Sequence, residues 1–289
     1  MSDLKSLLQE IIAKGGSDLH MKVGSPPTMR LHGRLVPMTD EKLKPQQTQA
    51  MAKEMLPENF KDRFTSIGSL DFSYSIPGVA RFRVNVFHQR GTVSIVMRAV
   101  NFEVPSFDEL FLPPVLADIA ANDRGLVLVT GVTGSGKSTT LASMIEYINQ
   151  RRNLHIVTIE DPIEYLYTDK SCIINQQELG LDTPSFDDAL RRVLRQDPDV
   201  ILIGEMRDKD TILSAVKAAE TGHLVFSTLH TADAVQTVDR ILKYFPPDEQ
   251  DLIRMQLSLN LRAVISQRLL RRAEGSGRVP GVEVMVGTP

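Results

Sequence analysis

A chain of 289 residues with 42% hydrophobic and 24% charged side chains has room for two ordinary domains, each with its own core, and is not an extended disordered protein. A net charge of -3 gives no general attraction for polyanions, which disfavours nucleic acid as a partner. The single cysteine, Cys172, excludes an internal disulfide and any cysteine-based zinc module, and beside Ile173 and Ile174 it reads as a small packed hydrophobe.

Leu4, Leu7, Leu8, Ile11 and Ile12 recur at helical spacing until Gly15 and Gly16 interrupt them. Residues 18–23 and 29–38 read as strands, with a possible turn at His32 and Gly33, and 45–55 reads as a helix ended by Pro57. Residues 69–76, 80–89 and 92–100 alternate apolar and polar positions and are joined at Pro77-Gly78 and Arg90-Gly91, which predicts antiparallel strands. The first hundred residues are therefore expected to form an α+β unit. The proline-bearing stretch 101–115 is expected to be a linker.

From residue 116 the rhythm changes. Apolar runs at 126–130, 155–159, 200–203 and 224–228 alternate with helical segments at 138–150, 185–196, 209–221 and 232–244. Non-alternating strands separated by helices predict a parallel sheet covered on both faces, an α/β domain extending to residue 289. The strand-like residues 282–286 lie just before the end, so a continuation of the domain is expected beyond Pro289. No apolar run reaches the roughly 18 residues that span a bilayer, and the N-terminus has no signal-peptide pattern, so the expected location is the cytoplasm.

The chemistry starts at Gly131, Val132, Thr133, Gly134, Ser135, Gly136, Lys137, Ser138 and Thr139. This is a G-x(4)-G-K-[ST] loop between a strand and a helix, as nucleotide binding requires. Glycines let consecutive backbone N–H groups converge on phosphate, and the helix N-terminus adds partial positive charge. Lys137 is expected to reach the β- and γ-phosphates of ATP or ADP, and the Ser138 hydroxyl to bind Mg²⁺. The strand at 200–203 runs into Gly204, Glu205, Met206, Arg207 and Asp208. Gly204 stands where a strand-end Asp is usual, which leaves Glu205 to hold Mg²⁺ through water or to activate the nucleophile. Glu160, Asp161 and Glu164 follow another strand at the same sheet edge, and Glu164 is the best candidate there for an auxiliary water or metal contact. His230, at the carboxyl end of its strand, is a candidate hydrogen-bond donor to phosphate, whereas His223 at the opposite end fits a structural or intersubunit role. Arg81 and Arg83 share one strand face and by default are solvated, as is Arg98.

These blocks together resemble the type II/IV secretion ATPases, and within that family its pilus-retraction branch. Residues 133–139, 158–164, 204–208 and 221–230 correspond to its Walker A, Asp, Walker B and His boxes, and residues 16–20, 25–27, 81–85 and 89–91 match its N-terminal domain. The resemblance implies a PAS-like N-terminal domain, a RecA-like ATPase domain and a ring-shaped homohexamer. It implies Glu205 as the catalytic glutamate, with Glu160 and Glu164 in the Asp box, and raises Arg83 and Arg98 from solvated residues to arginines that reach nucleotide. ATP turnover would then turn an inner-membrane platform protein at the base of a pilus, with a paralogous retraction ATPase as a further possible partner and the motor docked peripherally on the membrane. Val132 departs from the proline frequent in relatives, and the family continues past residue 289 with helices carrying an Ala-Ile-Arg-rich motif needed for retraction. Pilus-extension and secretion ATPases are disfavoured because they carry longer N-terminal extensions and a four-cysteine module. A nucleic-acid motor would need basic or aromatic strand-binding loops, which this sequence lacks. A nucleotide-dependent scaffold without turnover is disfavoured by Glu205.

Overall fold

The computed structural model describes residues 3–100, 103–274 and 277–288. It falls into two compact units, Met1–Phe102 and Glu103–Pro289. The start of the expected linker, Asn101 and Phe102, lies outside the described residues.

In the first unit, α1 (Leu4–Ala13) is capped by the Asp3 side chain, which accepts from the Ser6 N–H, and it buries Leu4, Leu7, Leu8 and Ile11. The remaining elements are β1 (Asp18–Met21), β2 (Thr28–Leu31), β3 (Arg34–Pro37), α2 (Pro45–Met55), α3 (Glu58–Ile67), β4 (Ser69–Ile76), β5 (Ala80–Gln89) and β6 (Thr92–Ala99). The six strands form one antiparallel sheet in the order β3-β2-β1-β6-β5-β4. Its two tight hairpins turn on His32-Gly33 and Arg90-Gly91, all four at positive φ. That is the turn geometry whose twist matches the flanking strands. Helix α3 escapes the sequence reading because Pro57, taken as a stop, stands at the N-cap of a new helix that buries Phe60 and Phe64 four residues apart.

The second unit comprises α4 (Val115–Ala120), β7 (Gly125–Thr130), α5 (Lys137–Asn149), β8 (His155–Glu160), β9 (Ile173–Glu178), α6 (Phe186–Val193), β10 (Val200–Ile203), α7 (Lys209–Glu220), β11 (Leu224–Leu229), α8 (Ala234–Leu242), α9 (Pro247–Asn260), β12 (Leu261–Arg271) and β13 (Arg278–Val286). The sheet order is β13-β12-β7-β11-β10-β8-β9, parallel except for the antiparallel edge pair β12–β13. Successive strand residues feed opposite cores. Leu126, Leu128, Val157, Ile159, Ile201 and Ile203 pack with α6 to α9, while Val127, Val129, Ile156, Val200, Leu202 and Phe226 pack with α4 and α5. Burial on both faces is why these strands read as unbroken apolar runs.

The stretch 103–115, expected as a linker, packs into this unit. Leu112 is buried in the α4–α5 core, and Phe107 stacks on Tyr147 at 5.3 Å. Among the described residues, no helix is long and apolar enough to cross a membrane.

Candidate nucleotide site

The carboxyl ends of β7, β8, β10 and β11 lie on one edge of the sheet, and the loop 131–136 leaves β7 there to start α5. Gly131 holds φ 145°, and a Cβ at this position would sit 2.2 Å from the Gln267 carbonyl oxygen and 2.5 Å from Ser135 Oγ. No side chain fits so close to a backbone atom, so the tight loop demands glycine. Gln267 of β12 also accepts a hydrogen bond from Thr140 Oγ1 at 2.7 Å, and Thr130 and Ser266 hydroxyls meet at 2.9 Å, so β12 braces the loop from behind. Lys137 Nζ donates to the Gly131 and Val132 carbonyls at 2.8 and 3.2 Å, which keeps a buried cation paired over the loop. Burial pulls this ammonium below the ordinary lysine range, while Glu205 and Glu164 act in the opposite direction. The Ser135 hydroxyl is buried in the loop and has no hydrogen-bond partner among the described residues. Thr139 Oγ1 meets Tyr165 OH at 3.1 Å.

Glu205 follows β10 after a single residue, Gly204. A Cβ on the preceding Gly204 would lie 3.3 Å from the Ile159 carbonyl and 3.4 Å from Glu160 Cα, and the Gly204 N–H donates to that carbonyl at 2.8 Å. The close approach of β8 leaves little room for a side chain at the strand-end position. Both carboxylate oxygens of Glu205 are engaged: Arg207 Nε donates to Oε2 at 2.8 Å, and His230 Nε2 lies 3.1 Å from Oε1. Thus His230, expected to face phosphate, touches Glu205 in this structure.

Glu160 ends β8 half-buried, accepting from Thr158 Oγ1 at 2.7 Å and Gln176 Nε2 at 3.2 Å. Burial pushes its carboxyl up to about 7 against these hydrogen bonds, and the nearby Glu164 charge adds to the rise. A carboxyl whose folded-state value exceeds its unfolded value of 4.5 stabilises the fold fully below 4.5, and that contribution is lost as pH rises through about 7. A shift of this size is worth at most about 3 kcal/mol. Glu160→Gln should therefore gain stability relative to wild type as pH rises from about 4.5 to about 7, read as a widening gap in melting temperature. A constant gap across that window would contradict the assignment.

Glu164 is exposed and enters the electrostatics of Lys137, whereas Glu160 turns toward Thr158 and Gln176. His223 lies just past the C-terminus of α7, with the Ala218 carbonyl 2.8 Å from its Nδ1. Arg83 and Arg98 belong to the first unit, opposite each other on β5 and β6 with both side chains exposed. Arg98 Nε donates to the buried carboxylate of Asp18 at 2.8 Å.

Four residues of the site's framework went unassigned in the sequence: Gln267, Arg207, Gln176 and Glu178. Gln176 Nε2 bonds the Tyr165 carbonyl at 2.9 Å, and the buried Glu178 accepts from the Ile163 N–H at 3.1 Å, so β9 holds the 161–167 turn in place. The peptide bond between Asp161 and Pro162 in that turn is cis.

Among the described residues, no cluster of three or more His, Cys, Asp or Glu side chains could cage a metal. Mg²⁺ in nucleotide sites keeps several waters and takes most of its remaining ligands from substrate phosphates. Ser138 in the first turn of α5 and Glu205 acting through water are the groups that would complete its shell. The loop glycines, the helix N-terminus and the buried Lys137 together fit a nucleotide polyphosphate.

Comparison with known proteins agrees with this geometry. The family model described as "Type II/IV secretion system protein" matches residues 1–284. The type IV pilus retraction ATPase PilT of Pseudomonas aeruginosa is 46% identical over 287 residues, which cover 99% of this chain and 83% of that protein. The type IV pilus ATPase PilU of the same organism is 44% identical over 287 residues, covering 99% and 75%. A crystal structure of the pilus retraction motor PilT with bound ADP superposes with a TM-score of 0.93 at 46% identity, covering all of this chain and 84% of that one. The Legionella pneumophila ATPase DotB superposes with a TM-score of 0.88 at 30% identity, covering 98% and 80%. With its smaller α+β unit ahead of a RecA-like ATPase unit, this chain belongs to the type II/IV secretion system protein family and is one of its ATPases.

Proposed function

We propose that this chain is the ATPase motor of type IV pilus retraction, the activity that drives twitching motility. The observation that carries the reading is the phosphate loop around Lys137 on the same sheet edge as Glu205, in a chain 46% identical over 99% of its length to a pilus retraction ATPase. The backbone N–H groups of residues 131–139 cradle the phosphates, and Lys137 leaves the loop carbonyls to meet the β- and γ-phosphates. The Ser138 hydroxyl would be a ligand of Mg²⁺, which would supply neutralisation of phosphate charge. Glu205 orients the attacking water and accepts its proton, or holds the metal's water. Glu164 and Glu160 shape the same pocket, and His230 carries a hydrogen bond between Glu205 and phosphate. Arg83 and Arg98 are the arginines that would supply further positive charge to a nucleotide. On this reading the chain works as a homohexamer on the cytoplasmic face of the inner membrane, acting on the pilus platform protein.

The near-equal 44% identity to PilU supports one second reading, an accessory retraction ATPase that works beside a paralogue. Phosphate release measured alongside native mass tests the shared core of both. Mg²⁺-dependent hydrolysis by a six-subunit species is expected. A monomer under every nucleotide condition would overturn the ring.

A further inference from the structure

Arg207 spans two strand ends. Its Nε donates to Glu205 Oε2 at 2.8 Å, and its NH1 donates to Asp161 Oδ2 at 3.2 Å. Glu205 leaves β10, and Asp161 follows β8, so one guanidinium ties together the two turns that carry the site's acids. The backbone supports the same junction. The Gly204 N–H donates to the Ile159 carbonyl at 2.8 Å, Thr228 Oγ1 donates to the Gly204 carbonyl at 2.6 Å, and the Met206 N–H donates to the Thr228 carbonyl at 3.1 Å. The main chain around Glu205 is thus fixed, while its side chain takes its direction from Arg207 and His230.

We propose that Arg207 is a positioning residue for ATP hydrolysis, aiming the Glu205 carboxylate by bridging it to Asp161. The inference rests on the reading of Glu205 as the residue that orients the attacking water. A rigid planar fork serves this purpose because Nε and NH1 engage two carboxylates in fixed relative directions, whereas a lysine offers a single charged centre. Arg207 is 53% exposed and Glu205 22% exposed. An ion pair that open adds little to stability. Misplacing a catalytic group by about 1 Å, by contrast, costs about 100-fold in rate. Rate and stability therefore respond differently to its removal.

The test assays Arg207→Ala, Arg207→Lys, Asp161→Ala, the Arg207→Ala/Asp161→Ala double variant and Glu205→Gln in the full chain. It reads phosphate release, binding of a fluorescent ADP analogue and thermal unfolding. Arg207→Ala should lower kcat about 10- to 100-fold. KM and ADP-analogue affinity should stay within about 3-fold, and the melting temperature within about 3 °C. Arg207→Lys should recover part of the loss, and Asp161→Ala should lose less than Arg207→Ala. The double variant should be no slower than Arg207→Ala alone, because the Asp161 arm acts only through the guanidinium. Wild-type kcat in Arg207→Ala, with Glu205→Gln inactive, would overturn the positioning role and leave the reading of Glu205 intact. Turnover retained in Glu205→Gln would overturn both. A large fall in melting temperature or ADP-analogue affinity in both Arg207→Ala and Arg207→Lys would make the residue structural and overturn the proposal. Additive losses in the double variant would overturn the bridge.

Discussion

Replacing Lys137 with alanine is expected to abolish nucleotide binding and turnover together, lowering kcat/KM by about 100-fold or more. The ammonium is buried at the head of α5 and bonded to the carbonyls of the loop it serves. Removing it takes away the positive charge that β- and γ-phosphates would meet and the Nζ donor to the Gly131 carbonyl, while the Val132 carbonyl keeps the Ser135 N–H at 3.1 Å. Ground-state binding and transition-state stabilisation both depend on that charge, so KM rises while kcat falls. Titration with a fluorescent nucleotide and steady-state phosphate release check the two effects separately. Affinity within a few-fold of wild type would remove Lys137 from the phosphate site.

Glu205→Gln should have the opposite signature, with nucleotide binding close to wild type and kcat lower by about 10²- to 10⁴-fold. The amide keeps the side-chain volume, and its oxygen still accepts from Arg207 or His230, so the framework of hydrogen bonds survives. What is lost is the negative charge that orients water and takes its proton. The variant should trap bound ATP, which a filter-binding or stopped-flow assay would read as a stable ATP complex. Unchanged phosphate release would place the base elsewhere, with Glu164 the next residue to replace.

Legibility of the site in the sequence followed the range of the interactions. The phosphate loop is a local device: strand, glycines, lysine and helix start all lie within residues 125–149, and the structure forms them there. Glu205 was readable because an apolar strand points at it, and Gly204 could be seen to displace the usual acid. The close approach of β8 to that glycine, from more than 40 residues away in the chain, could not be seen. Gln267 braces the loop from a strand 127 residues beyond Thr140, and no local pattern marks it. Strand β9 was missed because Asn175, Gln176 and Gln177 break the apolar run, yet those polar side chains are what an edge strand needs to hold the neighbouring turn. Strand β12 was missed because it begins at Leu261, immediately after α9 ends at Asn260, with no intervening turn residues to mark the change of period. Arg207 stood in plain view beside Glu205, but its second partner, Asp161, is adjacent only after the parallel sheet has formed.

The most direct test of the central claim is complementation. A strain lacking its pilus-retraction ATPase, supplied with the wild-type gene for this chain, should regain twitching, and the same strain supplied with Glu205→Gln should not. Wild-type protein that accumulates, folds and hydrolyses ATP yet leaves the strain unable to twitch would contradict the account.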